Sequence, residues 1–473
     1  MDRSIFANIS PLDHRYSISE KSVFDALVPW LSEQGALAAC IKAEGALIAA
    51  HLKVRGRYSG AASQIIDDCL GRVTPDEVYE EEEKTHHNIR ALVNVIKSKL
   101  PPDLKPLVHL GATSADILDT SLAYRVKGAT VQVLLPLLAD LECKLCDFAA
   151  KEADTPQVGR THGQHAVPIT LGFAFAEYVS RLGKSILEIK RLSAGLKGKL
   201  AGAVGAYNAT SMIVRDPVGL ETLYLAELGL EPSEHSTQLV EPEYLLRLLL
   251  EFNTAFGILA NLADDLRHLQ RSEIGELKEG FADTQVGSST MPQKRNPWNS
   301  EHIKSLWKAF MPRVVTFYMD QISEHQRDLS NSASQRFVAE YIDGFAMAVS
   351  RMSGLISGLF VDKERLLANL SCDVMAEPAY ILLAESGVPD AHEIIRRITL
   401  CAEKEGISFV RALQNEGETL RHITAKMAEL GIIGTNSTDD SIAFLQSPQK
   451  YRGLAAEKAL SLAKKYKTIM ENL

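Results

Sequence analysis

The chain has 473 residues, 46% of them hydrophobic and 23% charged, with a formal net charge of -9. Length alone allows about three domains and a large core, and the mildly acidic balance excludes a nucleic-acid binder driven by bulk charge, though it permits a local basic pocket for a small phosphate. The N-terminus has no apolar core of signal-peptide length and no stretch reaches the ~20 apolar residues of a membrane span, so no membrane association is expected.

Residues 1–18 read as irregular, because Ser10-Pro11-Leu12-Asp13-His14-Arg15-Tyr16 is too turn-rich for a helix. From Ser22 to about residue 100 the pattern is helical, with breaks at Gly56 to Gly60 and at Gly71 to Pro75. Pro101, Pro102 and Pro106 stop it. A polar loop from His109 to Thr120 leads into the next helix, where Leu134, Leu138, Leu141, Leu145 and Phe148 step by four and three as a packed seam. Cys143 and Cys146 lie in that seam region and form the chain's one Cys-x-x-Cys pair. With Cys40, Cys69, Cys372 and Cys401 scattered, the cysteines read as free thiols in a reducing cytoplasm rather than metal or redox groups. Pro156 to Pro168 reads as a loop, followed by a helical run to about residue 200 and a Gly/Ala-rich turn at Ala201 to Ala206. The plainest helix is 241–270, with Leu245, Leu249, Phe252, Phe256, Leu259 and Leu266 on one stripe. Helical patterns span 298–327 and 335–360, and the C-terminal third breaks into shorter helices. No alternating strand pattern and no Gly-rich nucleotide fingerprint stands out. The expected fold class is all-α, built as an elongated bundle.

Rigid helices leave chemistry to the polar loops and helix ends. Gly287 to Glu301, Gly-Ser-Ser-Thr-Met-Pro-Gln-Lys-Arg-Asn-Pro-Trp-Asn-Ser-Glu, is the stretch best suited to an anion. Its small residues admit a close approach, Lys294 and Arg295 bring charge, and Asn296-Pro297 reads as an N-cap with proline in the first helical position. The plain alternative is a solvated inter-helix loop. His86-His87-Asn88 falls in a helical context, where adjacent side chains point about 100° apart and cannot easily share a metal. His109 with Thr113, Ser114, Asp116 and Asp119 fits either a polar site or ordinary capping of the following helix. In Thr161-His162-Gly163-Gln164-His165 the histidine spacing suggests metal, but Gly163 and the missing carboxylate argue for proton transfer instead. Arg327 and Arg336 frame several hydroxyls and suit a phosphate or carboxylate, with a solvated helix connection as the alternative. This inventory fits a cofactor-free, metal-free proton-transfer enzyme with an anionic substrate.

The run Gly287 to Pro297 resembles the signature loop of the fumarase/aspartase superfamily, Gly-Ser-Ser-x-Met-Pro-x-Lys-x-Asn. Within it, Lys294-Arg295-Asn296-Pro297, Gly159 to Gly163, Ala203-Val204-Gly205-Ala206-Tyr207, Ser10 to Tyr16 and Ser236-Thr237-Gln238 are similar to the adenylosuccinate lyase family. The blocks follow the family's order from residue 10 to beyond 336. The resemblance implies a homotetramer with active sites shared between subunits. Each chain would have three helical domains, 1–108, 109–360 and 361–473, the middle one a long central bundle. It also implies β-elimination of fumarate from adenylosuccinate, giving AMP, and from the succinocarboxamide ribotide, giving its aminoimidazole carboxamide product. By the same resemblance Ser289 is the base, His162 the acid, and Lys294 and Asn296 stabilise the aci-carboxylate. Glu301 would orient His162. Arg15, Tyr16, Ser332 and Arg336 match phosphate-binding positions, Arg327 a carboxylate or phosphate contact. His86, His87, Asn88, His109, Thr113, Ser114 and Gln238 fall at the remaining substrate contacts.

Four positions depart from the family pattern: Asn88 stands for an aspartate, His14 for a glycine, Val240-Glu241-Pro242 for Arg-Asp, and Gln293 is more familiar from argininosuccinate lyases. The alternative readings are another fumarate-releasing lyase or a non-catalytic structural relative. Against the first stand Arg15-Tyr16 and the Ser332/Arg336 pair, since a nucleotide needs a phosphate pocket.

Overall fold

The computed structural model describes residues 4–281, 284, 287–328 and 330–473. Among these, α-helices dominate and the strands form three two-stranded pairs, so the all-α expectation holds. The chain divides into two compact units, each assembled from three separate segments. One comprises Met1–Ala139, Lys184–Ala260 and Ile303–Arg351; the other comprises Asp140–Gly183, Asn261–His302 and Met352–Leu473.

The first unit is organised on the helix Glu33–Val54. Ser32 starts it by accepting the Gly35 amide at 3.0 Å. Ala43 to Leu52 are buried on every face, which marks a core helix; all but Glu44 and His51 have small or aliphatic side chains. The helices Ser114–Ala129 and Pro217–Ala226 pack against it. Elsewhere in this unit Phe345 lies 5.6 Å from Phe252 and 5.4 Å from Phe256, ring to ring.

In the second unit, Phe148 and Phe175 stack at 4.2 Å. Five short helices between Ala376 and Leu445 enclose a core that includes Met375, Leu382, Leu383, Ile395, Ile423 and Met427.

The helix Glu243–Leu269 matches the expected 241–270 span, with Leu249, Phe252, Phe256, Leu259 and Leu266 buried and Leu245 half-buried. Several sequence expectations are corrected. Arg15–Ser19 form a short helix rather than an irregular segment. The 298–327 pattern breaks into Trp298–Phe310 and Arg313–Met319 around Pro312, whose ring and missing donor interrupt the ladder. Residues 156–168 are a hairpin, not a loop. Two stretches, Lys21–Val54 and Glu243–Leu269, are long and apolar enough to cross a membrane; 72% and 56% of their most apolar windows are buried inside the protein, as befits core helices.

Glu142 sits in the second unit fully buried, and neither carboxylate oxygen has a hydrogen-bond partner among the described residues. Burial pushes its pKa up to about 9, so the folded protein holds this proton where the unfolded chain has released it. Its contribution to stability is therefore full below the unfolded value near 4.5 and is lost as pH rises towards 9, by about 1.4 kcal/mol per unit. Glu142→Gln is expected to flatten that slope. Urea titrations between pH 5 and 9 that give parallel curves for both proteins would reject the protonated buried acid.

Candidate active site

His162 is carried on the tip of the hairpin formed by β1, Pro156–Thr161, and β2, Gln164–Thr170. Thr161 pairs with Gln164, leaving a two-residue turn of His162 and Gly163. Both have positive φ, 55° and 73°, which is what a tight turn matching the twist of its strands demands and what Gly163 adopts without strain. The register shifts between Val158 and Arg160, a bulge centred on Gly159. The base of the ribbon is held by Glu276, a fully buried carboxylate. It accepts from both terminal guanidinium nitrogens of Arg160, from Gln157 at 2.8 Å and from Asn369 at 2.9 Å. His162 and His165 are thus exposed on an anchored ribbon.

The same unit holds the loop 287–297. Asn296 does not cap the following helix as expected; its amide donates to the Gly287 carbonyl at 3.1 Å and closes the loop. Helix capping falls instead to Glu279, a residue the sequence reading passed over. Its carboxylate accepts the amides of Asn299 (3.1 Å) and Ser300 (2.9 Å) and the Ser300 hydroxyl (2.6 Å). Ser288 Oγ accepts the amides of Met291 at 3.1 Å and Thr290 at 3.4 Å, so Ser288 and not Ser289 occupies these loop donors. Arg295 lies over the Phe281 ring at 5.0 Å. Ser289 and Lys294 are exposed, and among the described residues neither side chain has a protein partner. Lys294, Asn296 and Glu301 line one concavity of about 530 Å³ with Arg267, His268 and Arg271. Neither Ser289 nor His162 is part of its lining. A basic concavity of this size suits a small dianion.

The other predicted residues belong to the first unit. His86 ends the helix Pro75–Thr85 in the left-handed region (φ 52°), and His87 caps the next helix, Asn88–Lys99, by accepting the Arg90 amide at 3.2 Å. The expected continuous helix is therefore broken there, and all three residues are exposed. His109 is also left-handed (φ 59°) and is tied to the buried Glu44. Asp116 reaches back to the Thr113 amide at 2.7 Å, fixing the turn that presents Thr113 and Ser114. Asp116 in turn pairs with Lys199, both fully buried, and accepts the Ala201 amide at 3.1 Å.

Asp119, on the same helix, accepts the Val240 amide at 3.0 Å, and the Gln238 amide reaches the Gln326 carbonyl at 3.4 Å. These bonds bring the Thr113–Ser114 turn, the Gln238 segment and the Arg327 segment together. Burial pushes the Asp119 carboxyl up to about 6, against the pull of the Val240 amide, Lys199 and Arg327. Arg336 shares a second concavity with Ser10 and Asp13, close in sequence to the short helix Arg15–Ser19. Tyr16 is buried, whereas Arg15 and Ser332 are exposed. Lys199, Glu44, Glu276 and Glu279 went unread because each meets its partner across 20 or more residues, and no short motif encodes that.

The family model described as "Lyase" matches residues 25–309, and one described as "Adenylosuccinate lyase C-terminal" matches residues 323–432. A protein of Pyrococcus abyssi named adenylosuccinate lyase is 32% identical over 429 residues, which cover 88% of this chain and 92% of that one. Among solved structures, a 3-carboxy-cis,cis-muconate lactonizing enzyme from Pseudomonas putida superposes with TM-score 0.79 at 23% identity, covering 94% of this chain and 98% of its own. A fumarate lyase from a Mesorhizobium species also gives 0.79, at 20% identity and 93% and 97% coverage. At such identities the structural likeness speaks to fold alone.

Proposed function

We propose that this chain, which belongs to the adenylosuccinate lyase family of the fumarase/aspartase superfamily, eliminates fumarate from adenylosuccinate and from the succinocarboxamide ribotide of purine synthesis. The observation that carries this reading is the 287–297 loop. It is closed on itself by Asn296 and Ser288, yet among the described residues leaves the Ser289 and Lys294 side chains unengaged, Lys294 in the wall of a basic concavity.

In the reaction, Ser289 Oγ takes the proton α to a succinyl carboxylate, and charge flows into that carboxylate as the aci form. The C–N bond then breaks as the C=C bond of fumarate forms, and His162 supplies the proton to the departing nitrogen. Lys294 and Asn296 stabilise the aci-carboxylate, where charge grows in the transition state. The loop's amides and Lys294 stabilise the Ser289 alkoxide, although the Thr290 and Met291 amides are taken by Ser288. Glu301 orients His162. Arg15, Tyr16, Ser332 and Arg336 bind the phosphate, Arg327 a carboxylate or phosphate, and His86, His87, Asn88, His109, Thr113, Ser114 and Gln238 the rest of the nucleotide. No cofactor is invoked.

The reading includes a homotetramer with shared sites, a cytoplasmic location and three successive domains, 1–108, 109–360 and 361–473. Exposure of Ser289, Lys294 and His162 supports sharing, since an elimination site must be screened from water and further copies would supply the cover. Six free cysteines support a reducing compartment.

Incubation with adenylosuccinate is expected to release AMP and fumarate in equal amounts, with argininosuccinate uncleaved. Turnover of argininosuccinate alone would sink the substrate assignment. Mixed tetramers of Ser289→Ala and Arg336→Ala subunits are expected to regain part of the activity that each lacks. Absence of recovery after verified subunit exchange would argue against sites shared between chains.

A further inference from the structure

We infer that Glu44 is a positioning residue for His109, fixing which ring nitrogen carries the proton and which faces a ligand. The inference rests on reading His109 as a substrate contact.

Glu44 lies in the middle of the helix Glu33–Val54 with no exposure to solvent. A carboxylate so placed loses its hydration, and that loss is offset only by well-aimed donors. His109 provides two. Its backbone N–H donates to Oε2 at 3.0 Å, and its ring Nδ1 lies 2.7 Å from Oε1. An ionised carboxylate can only accept, so Nδ1 carries the proton. Nε2 is then the basic nitrogen, and it has no protein partner among the described residues.

Seven residues on, the same face of the helix carries His51, whose Nε2 donates to the Leu110 carbonyl at 2.8 Å. Its Nδ1 meets Arg55 at 2.9 Å; guanidinium only donates, so this second ring is neutral, and burial also lowers its pKa. One helix face therefore grips two consecutive residues of the turn. Between them they hold His109 at φ 59°, a conformation uncommon for a bulky side chain. Packing alone needs no carboxylate at position 44. A histidine oriented through Nδ1 by a carboxylate, with Nε2 turned outward, does.

Glu44→Gln keeps shape and volume. In the full chain it is expected to lower kcat/KM for adenylosuccinate by roughly 10- to 100-fold. In a His109→Ala background the same substitution is expected to change kcat/KM by less than about threefold, because its effect passes through the ring. Equal effects in both backgrounds, or none in either, would overturn the inference. A second measurement needs no turnover. Carbethoxylation of His109, located by peptide mass spectrometry, is expected to slow several-fold in Glu44→Gln while the exposed His162 reacts at its former rate. Unchanged modification of His109 overturns the positioning role, whereas a wild-type protein inert towards adenylosuccinate overturns the proposed function and leaves this measurement to decide.

Discussion

Ser289→Ala is expected to lower kcat for adenylosuccinate about a thousandfold while KM moves only a few-fold. The loop geometry explains the split. Among the described residues Ser289 makes no bond that closes the loop; closure is done by Asn296 on Gly287 and by Ser288 on the Thr290 and Met291 amides. Alanine therefore removes the proton acceptor and leaves the cradle. Ser288→Ala should behave differently, releasing two amides and loosening the loop, with KM and kcat affected together. His162→Ala is expected to lose about a hundredfold or more in kcat, again with little change in folding, because the ribbon below it is held through Arg160, Gln157 and Glu276. Steady-state kinetics with both variants decide this. A kcat for Ser289→Ala within tenfold of the parent would reject that serine as the base.

The second large effect is on stability. Lys199→Met leaves Asp116 as a fully buried carboxylate without its cation, and unfolding free energy is expected to fall by about 3–5 kcal/mol. Asp116 still has the Thr113 and Ala201 amides, which limit the loss. Adding Asp116→Asn should return part of it, because the uncompensated charge is gone. Urea unfolding of the parent, the single and the double variant tests this; a Lys199→Met protein as stable as the parent would show that the pair is not maintained in solution. Where it survives at low temperature, the single variant should also bind substrate more weakly, since Asp116 sets the turn bearing Thr113 and Ser114.

These two cases mark what is readable in a sequence. Ser289, Lys294 and Asn296 lie within one short loop, so their common origin is legible from nearby residues. The seam on the helix Glu243–Leu269 is equally plain, because a 3.6-residue period repeated along a helix is a strong local signal. Lys199 and Asp116 are far apart in the chain, and nothing near either predicts the other. The hairpin escaped notice for a different reason. Its strands have six and seven residues, the bulge at Gly159 breaks alternation, and His-Gly is a rarer left-handed pair than Asn-Gly. The break at His86 was hidden likewise: only its φ of 52° ends the helix, and no glycine or proline announces it. Glu44 was invisible because it sits in an alanine-rich run whose pattern speaks only of burial.

Each compact unit is stitched from three stretches of chain, with segments of the other unit intervening in sequence. Neither core can therefore close when its first stretch leaves the ribosome. The Glu33–Val54 helix can pack early against Ser114–Ala129, but Pro217–Ala226 must arrive much later. Loop closure over such separations precedes the contacts that reward it, so folding should be slow and finish only after synthesis. Deleting the last stretch, Met352–Leu473, would take away the core enclosed by the helices between Ala376 and Leu445 and leave the second unit's two earlier stretches, Asp140–Gly183 and Asn261–His302, without it.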